Sequence, residues 1–483
     1  MGKDIASPTL VWFRQDLRLA DNPALHVAAT DGGGPVIPVF ILETADPWEP
    51  GGASRWWLHG SLSALSAALK RKGSRLILRR GEAAVALDRL IGETGARRVV
   101  WNRAYEPFAT ERDTAIKASL KKRGVMAESH KAALLAEPWE IRTRNGDPYR
   151  VFTPFWKALR NAVDVGEPLP VPRTLAVPVE WPKSDRLEDW KLRPTRPDWA
   201  SGLRETWNPG EDWARERLKD FLDDSLTGYG DERNRPDLDG TSGLSPHLHW
   251  GEISPRQIWR AVEGRRSDLE GNDAEKFLSE IAWREFAHHL LYAFPDLPEK
   301  PLNERFADFP WVEDEDGLEA WKRGRTGYPM VDAGMRQLWH IGWMHNRVRM
   351  IVGSFLVKHL LRPWQAGERW FWDTLVDADL ANNSTGWQWI AGCGADAAPY
   401  FRVFNPILQG EKFDPLGDYV RRWVPELAEL PKEWIHKPWK APPETLDRAG
   451  VRLGKSYPHP VVDHEHGRRR ALDAYAFIGK GGS

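Results

Sequence analysis

The chain has 483 residues, 28% of them charged and 41% hydrophobic, and 68 Lys and Arg against 69 Asp and Glu leave a formal net charge of -1. These are the proportions of an ordinary soluble globular protein with room for two or three domains and a large core, and no apolar run is long enough to span a bilayer. Cys393 is the single cysteine, which excludes an internal disulfide, a cysteine-ligated iron–sulfur cluster and a cysteine-rich zinc site.

The opening segment, MGKDIASPTLVWFRQ, lacks the apolar core of a secretory signal, so a cytoplasmic protein is expected. Over residues 1–135, short β-rich runs alternate with helix-like stretches. The runs are TLVWFR (9–14), PVIPVFIL (35–42), RLILRR (75–80) and RRVVWNR (97–103); ADNPALHVAA, SLSALSAALKRKG and AAVALDRLIGETG lie between them with apolar residues at helical spacing. Such alternation predicts a parallel sheet with helices on both faces. No G-x-G-x-x-G follows the first strand, so the usual dinucleotide fingerprint is absent. Seven prolines between 166 and 199 mark residues 136–201 as a linker wrapping between domains. From 202 to 483, helical patterns at 212–227, 253–265, 271–293, 330–341, 344–361 and 365–376 predict an all-helical C-terminal domain.

Tryptophan is the outlier: 27 residues, against 17 Phe and 9 Tyr. An indole is large, rigid and in need of an N–H partner when buried. So many of them suggest surfaces that stack on flat ligands, or indoles used for redox chemistry.

Several stretches combine reactive side chains. TSGLS (241–245) offers small hydroxyls and exposed backbone N–H groups that could cradle a pyrophosphate, although its spacing matches no standard phosphate loop and an ordinary turn is the better reading of the stretch alone. In KFLSEIAWREFAHHLL (276–291), helical spacing puts Glu280 one turn from Trp283 and Arg284. That is either a solvated ion pair or a carboxylate beside a stacking platform. Between Arg336 and Trp370, six Lys and Arg face one acid, Glu368, and the span includes Asn346, Arg347, Arg349 and Met350. A basic stretch in a neutral protein is a solvated helix face or a DNA footprint. DADLANNSTGWQW (377–389) sets two carboxylates before two amides and two indoles, with no charged side chain from Leu380 to Ala395. No H-E-x-x-H, G-x-S-x-G or Walker A motif occurs, and no metal site is expected.

Taken together and in order, LVWFRQDLRLADNPAL (10–25), WREF, GRTGYP (324–329), GWMHNRVRM, DLANNSTGWQW and GADAAPYFRVFNPILQGEKFD (394–414) resemble the photolyase/cryptochrome family over nearly the whole chain. Within it, the cyclobutane pyrimidine dimer DNA photolyases are most similar, and the N-terminal half looks closest to class III, which is related to plant cryptochromes. The resemblance implies a Rossmann-like α/β antenna-binding domain (1–135), the linker (136–201) and a helical FAD- and DNA-binding catalytic domain (202–483). It implies light-dependent repair of cyclobutane pyrimidine dimers, by electron transfer from excited reduced FAD to a dimer flipped out of the duplex; base flipping by photolyases is itself a stated general case.

Carried over residue by residue, the resemblance implies FAD contacts at Tyr229, Thr241, Ser242, Gly243, Leu244, Ser245, Phe277, Arg284, Asn346, Arg349, Asp377 and Asp379, with Asn383 facing flavin N5. Glu280, Trp283, Asn346, Met350 and Trp389 match the dimer pocket. Trp387, Trp364 and Trp311 match an indole chain that carries electrons to oxidised flavin. Arg233, Arg347 and Arg402 match positions facing DNA phosphates, and Glu280 also faces the DNA. The implied partners are damaged DNA and no membrane, for a chain expected to act as a monomer. The implied antenna is 5,10-methenyltetrahydrofolate, yet WNRAYEPFATERD (101–113) lacks the Asn-Glu pair with which class I relatives hold folate. RWWLHGS (55–61) is an alternative seat for it.

Two other readings lie within the family. A (6-4) photoproduct photolyase would resemble its relatives in carrying a His pair where Asn346-Arg347 stands. A cryptochrome-type photoreceptor would resemble plant cryptochromes in carrying Asp where Asn383 stands, and in a long C-terminal extension. A flavoprotein oxidoreductase outside the family would need a second site for NAD, which the sequence does not offer.

Overall fold

The computed structural model describes residues 7–31, 33–268, 271–397 and 401–480. Part of the expected motif at 394–414, residues 398–400, therefore lies outside the described residues. The chain forms two compact units: residues 1–200, 207–227 and 242–295, and residues 201–206, 228–241 and 296–483. This division differs from the boundaries expected at 135 and 201, and it assigns the proline-rich stretch and residues 242–295 to the first unit.

The first unit is built on a five-stranded parallel sheet in the order β3-β2-β1-β4-β5. Its strands are β1 (Thr9–Phe13), β2 (Val36–Leu42), β3 (Ile77–Arg80), β4 (Arg98–Asn102) and β5 (Met126–His130). Central β1 is buried at every position, which is why its sequence is continuously apolar rather than alternating. The helices between strands are α1 (Pro23–Thr30), α2 (Gly52–Arg71), α3 (Ala83–Thr94) and α4 (Pro107–Lys122). Asn22 caps α1 through Leu25 N–H, with Pro23 in the first turn, where its missing donor is harmless. β5, MAESH, escapes the sequence reading because it is a partly exposed edge strand with polar residues.

Strand order reverses between β1 and β4, the place where doubly wound sheets usually bind ligands. Here side chains fill it. Asn102 donates to Asp16 and to Asn22, while Arg14 pairs with Asp113 at 2.7 Å. Arg18, almost fully buried, donates to the carbonyls of Gly251 and Asp21 at 2.8 Å each. These bonds also tie residues 242–295 to the sheet. The proline-rich stretch is docked rather than free: Val36 N–H donates to Ala176 O at 2.7 Å, and Leu78 N–H to Ser184 Oγ at 3.0 Å. Helices α5 (Phe152–Ala162), α6 (Glu211–Asp220), α7 (Pro255–Gly264) and α8 (Asp273–Ala293) complete this unit.

The second unit is helical. Its core helices are α9 (Pro329–Ile341), α10 (Asn346–Ser354), α11 (Trp364–Thr374) and α12 (Leu380–Ala391), followed by α13 (Pro406–Phe413) and α14 (Asp418–Trp423), and ending in α15 (His464–Lys480). The GRTGYP motif is the entry to α9. Buried Asp332 accepts from Thr326 N–H, Thr326 Oγ1, Gly327 N–H and Tyr457 Oη, at 2.7 to 3.0 Å. Removing one such partner leaves a buried polar group unmatched, at about 1–3 kcal/mol. No helix among the described residues is long and apolar enough to cross a membrane, and no group of three or more potential metal ligands occurs among them.

Candidate functional site

The expected site residues divide between the two units. In the first, Ser242, Gly243, Leu244 and Ser245 lead into a short helix, Ser245–His249. A second helix, α7, follows the Ser254 cap, where the 253–265 pattern places one. Gly243 has φ +61, and a Cβ there would press on the Arg217 guanidinium, whose Nε donates to Ser242 O at 2.8 Å. A left-handed residue before right-handed Leu244 turns backbone N–H groups to one side, and Arg217 adds a cation at the same turn.

Helix α8 carries the remaining first-unit candidates. Phe277 is buried against Phe221, with centroids 4.5 Å apart. Glu280 lies 3.9 Å from Lys276, one turn back. Arg284 donates to Ala133 O at 2.7 Å, so its guanidinium is drawn inward. Trp283 lies flat against Phe152. Sequence reasoning missed Glu285, which is fully buried and accepts from Leu135 and Ala136 N–H at 2.9 and 3.3 Å. Burial pushes its carboxyl up to about 7 against the pull of Arg284. In the candidate antenna seat RWWLHGS, Trp56 and Trp57 are buried, with Trp57 N–H donating to Glu252 at 3.2 Å, while Arg55 is exposed and His59 partly so.

In the second unit, Tyr229 is buried with Arg233 over its ring, and Thr241 closes the same segment. Arg347 donates to Asn234 at 2.6 Å and lies over Phe413, while Arg402 lies over Phe404. Burial and the neighbouring charges of Arg233 and Arg402 lower the pKa of Arg347. Three like charges placed so that they repel one another favour an anion among them. Asn346 is exposed at the start of α10, and Met350 one turn on is half-buried. His345 caps α10 by accepting Arg347 N–H at Nδ1, while its buried Nε2 has no hydrogen-bond partner among the described residues. Burial, then Arg347, Arg349 and Arg233, push this imidazole down to about 3, so it is neutral at physiological pH.

One guanidinium nitrogen of Arg349 donates to both oxygens of Asp377, at 2.8 and 3.1 Å, as two opposite charges in a partly buried place pair directly. Asp379 is the N-cap of α12: one oxygen accepts Asn382 N–H at 2.8 Å and the Asn382 amide at 2.6 Å. Asn383, one turn on, donates from Nδ2 to the backbone carbonyl of Glu368 at 3.0 Å. A carbonyl can face only the NH₂ end of an amide, so Asn383 turns its oxygen the other way, as a neutral acceptor.

Behind Asn383, Ser384 donates to the fully buried carboxyl of Glu368, which burial pushes up to about 8. The folded protein therefore holds this proton over a range where the unfolded chain has released it. Stability from this group is fully present below its ordinary value of 4.5 and declines as pH rises toward about 8. Glu285 acts in the same direction up to about 7. Glu368→Gln should match the native melting temperature near about pH 5 and exceed it by a few degrees near about pH 9; parallel melting curves would contradict this assignment.

Trp387 and Trp364 are buried in one hydrophobic cluster, with half-buried Trp311 packed against it. Gly367 lets the Trp387 indole lie against the α11 backbone, where any Cβ would overlap the ring. Phe371 meets the same ring edge-on at 4.9 Å. Trp389 is half-buried and donates to Asp396 O at 3.0 Å. The three indoles thus share a core but differ in exposure, with Trp311 the outermost.

Each unit by itself fits part of a flavin dinucleotide by its chemistry: the second offers a neutral amide oxygen at Asn383, an uncharged imidazole at His345 and a guanidinium–carboxylate pair, and the first a glycine turn beside a cation that suits a phosphate. Comparison with known proteins points the same way. A family model described as DNA photolyase matches residues 9–173, and one described as FAD binding domain of DNA photolyase matches residues 277–477. Over 475 residues the chain is 55% identical to the deoxyribodipyrimidine photo-lyase of Agrobacterium fabrum, covering 98% of each. It is 42% identical to cryptochrome-2 of Arabidopsis thaliana, over 95% of this chain and 77% of that one. The crystal structure of a bacterial class III photolyase from Agrobacterium tumefaciens matches with a TM-score of 0.97 at 54% identity, covering 99% of each chain.

Proposed function

The chain belongs to the photolyase/cryptochrome family, and on that premise we propose that it is a deoxyribodipyrimidine photo-lyase, splitting cyclobutane pyrimidine dimers in DNA under light. The observation that carries this reading is Asn383, a neutral amide with its donor end tied to Glu368 O and its acceptor end presented, in a stretch with no formal charge from Leu380 to Ala395. When bound, reduced FAD would supply on illumination an electron that opens the dimer's cyclobutane ring and then returns to the flavin, so that repair is redox-neutral overall.

The protein's own residues bind, orient and shield. In this reading Tyr229, Thr241 and the turn 242–245 hold the dinucleotide, with Phe277, Arg284, Asn346, Arg349, Asp377 and Asp379. Asn383 accepts from flavin N5–H without adding charge. Glu280 accepts N–H donors from a pyrimidine edge, while Trp283, Met350 and Trp389 enclose the lesion together with Asn346. A dimer is poorly stacked and paired, so extruding it costs less than the few kcal/mol of a normal base. Arg233, Arg347 and Arg402 meet backbone phosphates, which fix register without reading sequence. Trp387, Trp364 and Trp311 carry electrons inward. A second chromophore, 5,10-methenyltetrahydrofolate, serves as antenna. The protein acts as a monomer in the cytoplasm.

The test is repair itself. An oligonucleotide with one thymine dimer should return to monomeric thymines under near-UV or blue light with reductant, and stay unrepaired in darkness. Equal repair in both would refute the assignment.

A further inference from the structure

Trp283 sits mid-way along α8, where the backbone is fixed but two side-chain torsions remain. Its indole is stacked on Phe152 with centroids 3.7 Å apart and planes 7° from parallel. Phe286 meets both rings edge-on, at 5.8 Å from Trp283 and 5.9 Å from Phe152. Phe155 in turn packs on Phe286 at 5.1 Å. Phe152 and Phe155, with Leu159, form the buried face of α5. One whole face of the indole is thus covered by a ring itself anchored in a packed cluster, one edge is braced, and the side chain as a whole stays half-exposed.

We propose that Phe152 is a positioning residue for lesion binding: it is the backstop that fixes the plane of Trp283, so that the opposite face is presented ready-set to a pyrimidine ring of the dimer. This rests on the reading that Trp283 lines the dimer pocket. Dispersion between stacked rings falls steeply when the gap opens by even half an ångström. An indole free to swing about its torsions must be immobilised when the substrate arrives, and that entropy is charged against affinity. A flat ring behind it removes that loss before binding; an aliphatic side chain of similar volume fills the space without setting the plane.

The experiment is a double-mutant cycle on FAD-loaded, full-length protein. The dissociation constant is measured for a thymine-dimer oligonucleotide and for its undamaged counterpart. Trp283→Ala should weaken dimer binding about ten- to a hundredfold, the usual range for losing one base–aromatic stack. Phe152→Leu should weaken it about fivefold, with undamaged DNA and repair at saturating DNA unchanged. In the Trp283→Ala background, Phe152→Leu should have no further effect, because it acts through the indole. Phe152→Tyr, which keeps a flat ring, should restore native affinity.

An unchanged dissociation constant for Phe152→Leu beside a weakened Trp283→Ala would overturn the proposal alone. So would equal losses from Phe152→Leu in both backgrounds, since these would mark Phe152 as general core. No effect of Trp283→Ala would overturn the lesion pocket itself. Should Phe152→Leu lose its FAD, Phe152→Tyr decides: weakened affinity in that protein refutes the role of the flat ring.

Discussion

Asn383→Asp should retain FAD and lose about a hundredfold in light-driven repair, about 2.7 kcal/mol in barrier terms. The native amide donates to Glu368 O at 3.0 Å. A carboxylate cannot donate, so Asp at 383 sets oxygen against oxygen and leaves a buried carbonyl unpaired, at about 1–3 kcal/mol. The new group either ionises, placing a charge in a stretch that has none, or holds a proton and offers a donor where the native side chain offers an acceptor. Either outcome changes which redox state of the bound flavin is stable. A reductive titration of both proteins, followed by repair of a dimer oligonucleotide at equal FAD content, measures it. Unaltered redox behaviour together with unaltered repair would show that Asn383 does not address the flavin.

Trp387→Phe should slow photoreduction of the oxidised protein at least about tenfold while leaving repair by chemically pre-reduced protein within about twofold. Photoreduction and repair make different demands on one core. Trp387 and Trp364 are buried and Trp311 is half-buried in the same cluster, a gradient suited to passing electrons inward from solvent. Phenylalanine fills much of the slot beside Gly367 and Phe371 but lacks the indole's accessible oxidation. The smaller ring leaves a cavity that costs about 1–3 kcal/mol of stability, so melting temperature serves as the control. Native photoreduction in Trp387→Phe would redirect attention to another pair, Trp339 and Trp370, stacked at 5.9 Å with Trp339 largely exposed.

Much of the fold was legible because each apolar pattern had one structural reading. β1 and β2 are buried parallel strands written as nearly continuous apolar runs, and β4 carries the buried apolar stretch Val99–Trp101. β5 was not legible, since an edge strand half open to solvent can spell MAESH. The α12 segment hides its helix behind Asn, Ser and Thr, poor helix formers; its boundaries are signalled instead by the Asp379 cap and by Gly392 at φ +90. The grouping of residues 242–295 with the sheet depends on Arg18, Glu252 and Glu285, whose partners lie more than a hundred residues away. No local pattern encodes such pairing.

At the candidate site, the residue types came from resemblance and the geometry from the structure. Motif order pointed to Asn383, but only its bond to Glu368 says which end of the amide is presented. Arg349 and Asp377 were named together, yet their direct pairing was not foreseen. Glu368, His345 and Phe152 carried no usable signal, because a lone acid, a lone imidazole and a lone phenyl acquire meaning only through burial and neighbours.

The central claim is that light absorbed by a bound flavin drives repair of pyrimidine dimers. Its most direct test is the action spectrum of repair, taken on the sample whose absorption spectrum has just been recorded. Repair per incident photon should follow the absorption of reduced flavin together with any antenna band, and vanish where neither absorbs. Repair that proceeds in darkness, or whose wavelength dependence ignores the flavin, would contradict the account.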